Sequence, residues 1–323
     1  MKTIAIVATG GTIAGTGKKG KTAAYHAGEI DIDSIIETIP EINEVAHIKE
    51  YQLMNIDSNE MTHEKWLILK NNIEEILSDD TIDGAVVTHG TDTLDETAYF
   101  LTLTLNTPKP VVLTGAMRPA TATSADGPFN LYQAVCLACH GESYNRGVLA
   151  LFSNTIYSGR DIEKVNNFKI DAFDQRSLGC LGYMQDQEVY FYTQTSKIHT
   201  VKSRFNKRVD SIKSVAIAFY YSGANAKILY DLASGHEGIV IAGSGNYSQA
   251  WLKAIEELSE KGTIFVRSSR ISQGIVFDDE IFDPHHLCIS SNTLSPQKAR
   301  VLLMLALTQT HDRDEIREIF LQY

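Results

Sequence analysis

Cysteine is scarce in this sequence: four residues among 323, at positions 136, 139, 180 and 288. They make a single Cys-x-x-Cys, with no second pair to complete a zinc site, so the fold is expected to depend on neither disulfides nor metal. Phe129, Tyr132, Cys136 and Cys139 recur at helical spacing, which reads the two thiols as the packed face of a helix. Long hydrophobic runs are also missing. The longest, over 301–307 and 215–221, have seven residues, against roughly 18–20 needed to cross a bilayer. Positive charge is in deficit: 29 Lys and Arg stand against 40 Asp and Glu, a net charge of −11. Such a surface repels phosphate backbones and anionic lipid, so neither nucleic acid nor a membrane is an expected partner. The basic stretch Lys197, Lys202, Arg204, Lys207, Arg208, Lys213 has no clear periodicity and reads as a solvated linker. A secretory leader is not apparent either. Lys2 is followed by a short apolar strand that runs into Gly10 and Gly11, too short for a signal-peptide core and without a cleavage site. The expected location is the cytoplasm for the chain as written, or the periplasm if a leader has been removed.

What is present is ordinary globular material, 43% hydrophobic and 21% charged, in a chain about twice the usual domain length. Short β-rich runs alternate with helical patterns. Strands are expected over 3–8, 84–88, 110–114 and 147–153, and helices over 62–77, 94–105 and 128–140. In the helix over 62–77, Trp66, Leu69, Ile73 and Leu77 share one face. Strands apolar throughout and separated by helices predict a parallel sheet covered on both faces. Ligands bind such sheets beyond the carboxyl ends of the strands, which directs attention to loops 9–31, 54–61, 88–93 and 115–127. After the polar stretch, alternation resumes with strands over 215–221, 238–242 and 262–267 and helices over 226–234 and 248–261. A last long helix opens at Ser295-Pro296, a cap followed by proline at the first helical position. The domains expected are 1–192, a linker 193–213, and 214–323. The fold class is α/β with two domains: a larger N-terminal, mostly parallel, doubly wound (flavodoxin-like) sheet and a smaller C-terminal α/β domain.

One motif misleads. Residues 15–22, Gly-Thr-Gly-Lys-Lys-Gly-Lys-Thr, satisfy the phosphate-loop pattern, yet the preceding strand ends near Thr9 and only a short helix fits before Gly28. A flexible surface loop is the better reading. Two threonine-rich strand-to-loop junctions carry more weight. The first is Ala8-Thr-Gly-Gly-Thr-Ile-Ala-Gly15; the second is Val87-Thr-His-Gly-Thr-Asp-Thr-Leu-Asp-Glu96. Glycines there let a backbone approach a ligand and expose N–H groups. Thr93 with Glu96 makes a capping box, which places Thr91 and Asp92 at a helix N-terminus suited to an oxygen nucleophile or a developing oxyanion. A threonine hydroxyl needs a partner to take its proton; a lysine can serve, but spacing alone does not choose among the lysines.

These junctions, with Ala116-Met-Arg-Pro, Ser124-Ala-Asp-Gly127 and Leu294-Ser-Pro-Gln-Lys-Ala-Arg-Val-Leu-Leu303, resemble the bacterial type II L-asparaginase and glutaminase-asparaginase family over nearly the whole chain. The resemblance implies hydrolysis of L-asparagine to L-aspartate and ammonia through a β-aspartyl-enzyme intermediate, with secondary activity on L-glutamine. The alternative is comparable activity on both amides. It assigns Thr12 as nucleophile, Tyr25 as its proton partner, and Thr91, Lys164 and Asp92 as a second triad. Ser58 would hold the substrate α-carboxylate and Asp92 its α-ammonium, with Asn59 and Ser248 beside them. Glu280, in Asp-Asp-Glu280-Ile-Phe, would reach in from a neighbouring subunit. The family assembles as a homotetramer of two intimate dimers with shared sites, needs no cofactor and binds no catalytic metal; residues 10–31 would form a lid. Three departures are visible. Asn59 is shorter than the Gln or Glu of many members, Ser248 replaces a frequent Asn, and Leu77 and Leu105 stand where some periplasmic relatives carry a disulfide. His89 reads as a buried packing residue, and His285-His286 as lacking a third metal ligand. A tRNA-dependent amidotransferase component would need an RNA-facing domain. A non-catalytic binding module would have lost a triad member.

Overall fold

The computed structural model describes residues 1–22, 25–176, 178–207, 209 and 211–323; Arg208, counted in the basic stretch, lies outside them. Two compact units are present, Met1–Arg208 and Val209–Tyr323.

The first unit is built on an eight-stranded sheet. Its strands are β1 (Lys2–Gly10), β2 (Ala46–Ile56), β3 (Gly84–Thr88), β4 (Val111–Thr114), β5 (Val148–Phe152), β6 (Thr155–Ser158), β7 (Gly182–Gln185) and β8 (Glu188–Phe191). Read from one edge the order is β2-β1-β3-β4-β5, all parallel, continued by β6, β7 and β8 as an antiparallel meander. The five-strand order 2-1-3-4-5 is that of a flavodoxin-like sheet, whose ligand crevice opens where the chain reverses direction between β1 and β3.

Alternate residues of the central strands face opposite layers. Ile4, Ile6 and Ala8 of β1, with Val86, Val112 and Leu149, pack against α3 (Gly127–Cys139) and two short helices, Ile32–Ile36 and Ile42–Val45. Cys136 is buried in that core, and burial pushes its thiol up to about 12 and that of Cys139 to about 11, so both are inert packing groups. The other layer holds α1 (His63–Ser78) and α2 (Leu94–Thr104), which pack on each other. In α1 the buried positions are Trp66, Leu69, Lys70, Ile73 and Leu77; Thr62 caps its start, accepting from the Lys65 N–H at 3.4 Å. Its last carbonyls are met by Lys109, whose Nζ donates to Leu77 O at 2.8 Å and Asp79 O at 2.9 Å, a cation placed where the helix dipole favours one.

The second unit has a four-stranded parallel sheet in sequential order: β9 (Val215–Phe219), β10 (Gly238–Gly243), β11 (Ile264–Ser269) and β12 (Cys288–Ser290). Helices α4 (Lys227–Ala233) and α5 (Gln249–Glu260) bury Leu229, Trp251, Ile255 and Leu258 against Ile239 and Ile241. Helix α6 (Pro296–Ala306) covers the sheet as well, and α7 (Arg313–Gln322) packs on α6 and β12.

Several expectations are corrected. The stretch 193–213 is not a solvated linker throughout: His199, Thr200, Ser203 and Phe205 are buried within the first unit, because single anchors in a polar run hold it down without periodicity. The division between the two units falls after residue 208, inside the expected linker 193–213. The helix that opens at Ser295 is not the last, since α7 follows, and the buried Ser295 hydroxyl has no hydrogen-bond partner. Thr93 occupies the N-cap of α2 but makes no side-chain cap; its hydroxyl donates to Ser58 O at 2.9 Å. No helix among the described residues is long and apolar enough to cross a membrane.

Replacing Lys109 with Met removes two charge-assisted caps and should cost about 1–2 kcal/mol. By calorimetry that is a Tm lower by about 2–4 °C per kcal/mol.

Candidate active site

The site begins with a backbone crossing. At the carboxyl end of β1 the chain turns through Gly10 and Gly11, both at positive φ (102° and 83°). A Cβ on Gly11 would lie 2.5 Å from the Cα of Gly90, and one on Gly90 would lie 2.7 Å from the Cβ of Ser58. The loops after β1 and β3 therefore meet backbone to backbone, Gly90 lies directly on the Ser58 side chain of the loop after β2, and the Gly11 N–H is tied to Ile56 O at 2.9 Å. Any Cβ at Gly11 would both clash and strain the turn.

Immediately after this crossing, Thr12 opens a one-turn 3₁₀ helix, Thr12–Ala14, and is buried. Its Oγ1 lies 2.8 Å from the hydroxyl of Tyr25. Tyr25 arrives on a two-residue strand, Tyr25–His26, paired antiparallel with Thr16–Gly17. That hairpin is secured to the loop after β4. Gly17 N–H donates to Thr121 Oγ1 at 3.0 Å, Gly20 N–H to Thr121 O at 3.0 Å, and Ala120 N–H to Gly15 O at 3.1 Å. The Asp126 carboxylate holds the receiving loop in turn, accepting from the Met117 and Arg118 N–H groups at 2.9 Å each. Among the described residues, 25–26 form a strand and the next helix is the short Ile32–Ile36, so the phosphate-loop pattern is a coincidence of spacing.

The loop after β3 carries the second hydroxyl. Lys164 Nζ lies 2.8 Å from Thr91 Oγ1 and 2.5 Å from Asp92 Oδ1. Lys164 ends the short strand Glu163–Lys164, paired with Phe173–Asp174. Its neighbour Glu163 is fixed by Arg176 at 2.6 Å, so the lysine enters from a braced edge. The ammonium donates to both oxygens; a neutral amine would instead accept the Thr91 proton across the same short line. Ser58, also buried, receives the Asp92 N–H at 3.3 Å.

Behind this loop His89 is wholly buried, and desolvation lowers its pKa to about 4. Its Nδ1 lies 2.7 Å from Gly90 O, which can only accept, so Nδ1 carries the proton. Nε2 then accepts from the Thr97 hydroxyl at 3.0 Å, and Thr97 Oγ1 accepts from Trp66 Nε1–H at 2.8 Å. This chain of neutral hydrogen bonds ties α1 and α2 to the peptide before Thr91 and gives His89 the packing role its sequence position suggested.

Thr12, Tyr25, Ser58, Thr91, Asp92 and Lys164 line one cleft of about 390 Å3, together with Asp57, Met117, Asn167 and Phe168 among others. Asn59 is exposed beside Ser58, its N–H bound to Asp57 Oδ1 at 3.2 Å, and is not among the lining residues. Ser248 and Glu280 belong to the second unit. Ser248 starts α5 with its N–H on the Tyr220 hydroxyl at 3.0 Å. Glu280 is highly exposed, with an oxygen 3.5 Å from His286 Nε2. Sequence reasoning missed Asp57, Asn167 and Phe168. Asp57 sits inside a loop already under suspicion; Asn167 and Phe168 follow no parallel strand and gave no signal. Among the described residues no group of three or more His, Cys, Asp or Glu is arranged to hold a metal ion.

Comparison with known proteins agrees with this architecture. The model of the asparaginase N-terminal domain matches residues 3–197, and that of the glutaminase/asparaginase C-terminal domain matches 214–320. The chain belongs to the asparaginase family. It is 44% identical to the probable periplasmic L-asparaginase of Haemophilus influenzae, covering 98% of this chain and 92% of that one. It is 41% identical to L-asparaginase 2 of Escherichia coli, with 99% and 93% covered, and 38% identical to the glutaminase-asparaginase of Pseudomonas fluorescens, with 99% and 90% covered. The crystal structure of the probable cytoplasmic L-asparaginase from Campylobacter jejuni superposes with a TM-score of 0.94 at 44% identity, with both chains fully covered.

Two outcomes follow from this geometry. Gly11→Ala should abolish activity and lower Tm, read by ammonia release and calorimetry on the same preparation. The native state keeps His89 neutral down to about pH 4, whereas the unfolded chain protonates it near 6.5. The contribution of His89 to stability is therefore complete above 6.5 and declines as pH falls through that window. A plot of Tm against pH should be flatter there for His89→Gln than for the parent.

Proposed function

We propose that the protein is an L-asparagine amidohydrolase that releases L-aspartate and ammonia and accepts L-glutamine as a second substrate. The observation that carries this reading is the pair of threonine hydroxyls in one cleft, one against Tyr25 and the other against Lys164 and Asp92. Thr12 Oγ1 attacks the side-chain amide carbon while its proton passes toward Tyr25. Collapse of the tetrahedral intermediate breaks the C–N bond, the nitrogen leaves as ammonia after gaining a proton, and a β-aspartyl ester remains on Thr12. Water then cleaves that ester, restoring the hydroxyl and forming the product carboxylate. Thr91, Lys164 and Asp92 orient water and move its proton, and backbone N–H groups near Thr91 stabilise the oxyanion.

Recognition needs two opposite contacts because the substrate is a small zwitterion. Asp92 takes the α-ammonium and Ser58 the α-carboxylate, which aligns the amide between the threonines. Asn59, one methylene shorter than Gln, assists through water. Glu280 and Ser248 complete the pocket, Glu280 from the C-terminal unit of a neighbouring subunit in a homotetramer of two dimers. Ser248 favours a glutaminase component, since one methylene is worth only about 1–3 kcal/mol in a pocket. Relatives named as asparaginases and as glutaminase-asparaginases both support that range. The cytoplasm is the proposed compartment for this chain; relatives are named both periplasmic and cytoplasmic.

Ammonia release from L-asparagine and from L-glutamine, each alone, tests the reading. Thr12→Ala should lower turnover by about a thousandfold or more with Tm and oligomeric state unchanged. A folded oligomer that releases no ammonia from either amide overturns it.

A further inference from the structure

The C-terminal unit holds a buried cation that the reaction above does not use. Arg267 lies in β11 and is 5% exposed. Its Nη1 donates to Phe277 O at 3.3 Å, and its guanidinium carbon stands 5.0 Å from the centre of the Phe282 ring. Its buried Nε has no hydrogen-bond partner. The guanidinium also acts on the buried Tyr247 hydroxyl, favouring its ionised form against the burial that pushes it up. Asp283, which also acts on Tyr247, is occupied by the Leu287 and Cys288 N–H groups at 3.1 and 2.7 Å.

A half-satisfied buried guanidinium is a poor way to stabilise a domain, because an apolar side chain of similar volume is commonly as good or better. Its contacts, however, fall at particular places. Phe277 and Phe282 bracket Glu280 in a loop that is mostly exposed. Tyr247 directly precedes Ser248 and packs edge-on to Tyr220 at 5.3 Å, whose hydroxyl receives the Ser248 N–H. The Arg270 N–H closes the same region by donating to Gly243 O at 2.8 Å. One rigid, planar group thus touches the loop that carries Glu280 and acts electrostatically on the hydroxyl of the residue before Ser248.

We propose that Arg267 is a positioning residue that fixes the 277–282 and 243–248 segments against each other and so sets how Glu280 and Ser248 meet the substrate. This rests on the reading of those two residues as substrate contacts. The planar fork and the stacking on Phe282 explain why arginine is needed there instead of lysine.

The test is steady-state kinetics of the full-length oligomer with both amides, for Arg267→Met, Arg267→Lys, Tyr247→Phe and Glu280→Gln. Arg267→Met should raise KM for L-asparagine about tenfold, the equivalent of one charge-assisted hydrogen bond, with kcat little changed. Arg267→Lys should recover part of that loss. Tyr247→Phe should raise KM less and alter the ratio of asparagine to glutamine turnover. If Arg267→Met does not fold, Tyr247→Phe, which leaves the charge in place, decides by the same readout. Raised KM in Glu280→Gln with no change in Arg267→Met or Tyr247→Phe overturns the positioning role alone. A fall in kcat at constant KM in the Arg267 variants also overturns it, by marking a merely structural effect. Unchanged KM in Glu280→Gln overturns the substrate-contact reading on which the proposal stands.

Discussion

Close approach of three loops at two glycines, Gly11 and Gly90, is the constraint on which the site depends. Parallel strands lie about 4.8 Å apart, and their loops normally diverge as side chains intervene. Here Gly11 rests on the Gly90 backbone and Gly90 on the Ser58 side chain, so the three loops converge, although β2 and β3 are not neighbours in the sheet. The hydroxyls attached to this contact inherit its rigidity: Thr12 is one residue from it, Thr91 one residue, and Ser58 within it. The chain-of-neutral-bonds from Trp66 through Thr97 and His89 to Gly90 O secures the middle layer from behind, without placing a charge in the core.

The groups hydrogen-bonded to Thr12 and Thr91 come from elsewhere, and in a different way. Tyr25 and Lys164 each stand on a two-residue strand of a small antiparallel pair, and each pair is braced by side chains outside the cleft: Thr121 and Asp126 for the first, Arg176 for the second. The threonine-bearing loops are fixed by close packing at glycines, while the groups hydrogen-bonded to the threonines are fixed by polar side-chain contacts. The C-terminal unit repeats the second device, with a buried guanidinium bracing two exposed loops.

Much of this was legible in the sequence where burial imposes a pattern. The parallel strands β1, β3 and β5 are apolar throughout because both faces are covered, and α1 shows its core stripe at 66, 69, 73 and 77. Strand β2 was not legible: it is an edge strand whose residues 47, 49, 50 and 52 are polar, so its pairing with β1 leaves little hydrophobic trace. The meander strands 155–158, 182–185 and 188–191 are short and partly exposed, and were missed for the same reason. In the site, Thr12 and Thr91 were marked by their glycines, which local geometry requires. Lys164 could be found only through family resemblance, because its approach to Thr91 spans 73 positions and no local rule connects them. The capping box at Thr93 failed because the Glu96 N–H it would accept from is bound to Asp95 Oδ1 at 3.0 Å, while the Thr93 hydroxyl donates to the Ser58 carbonyl.

The charges around the cleft bear on what happens after bond cleavage. Asp57 and Asp92 both line it, and its lysine is already engaged with Asp92, on a protein with a net charge of −11. An amide amino acid is electrically neutral overall and is not opposed by this field. Its hydrolysis product carries one carboxylate more and is. The reaction thereby turns a tolerated guest into a repelled one, so the acidic surroundings lower the affinity for the product while leaving that for the substrate nearly untouched. Product release from such a site is helped by the difference in charge between what enters and what leaves.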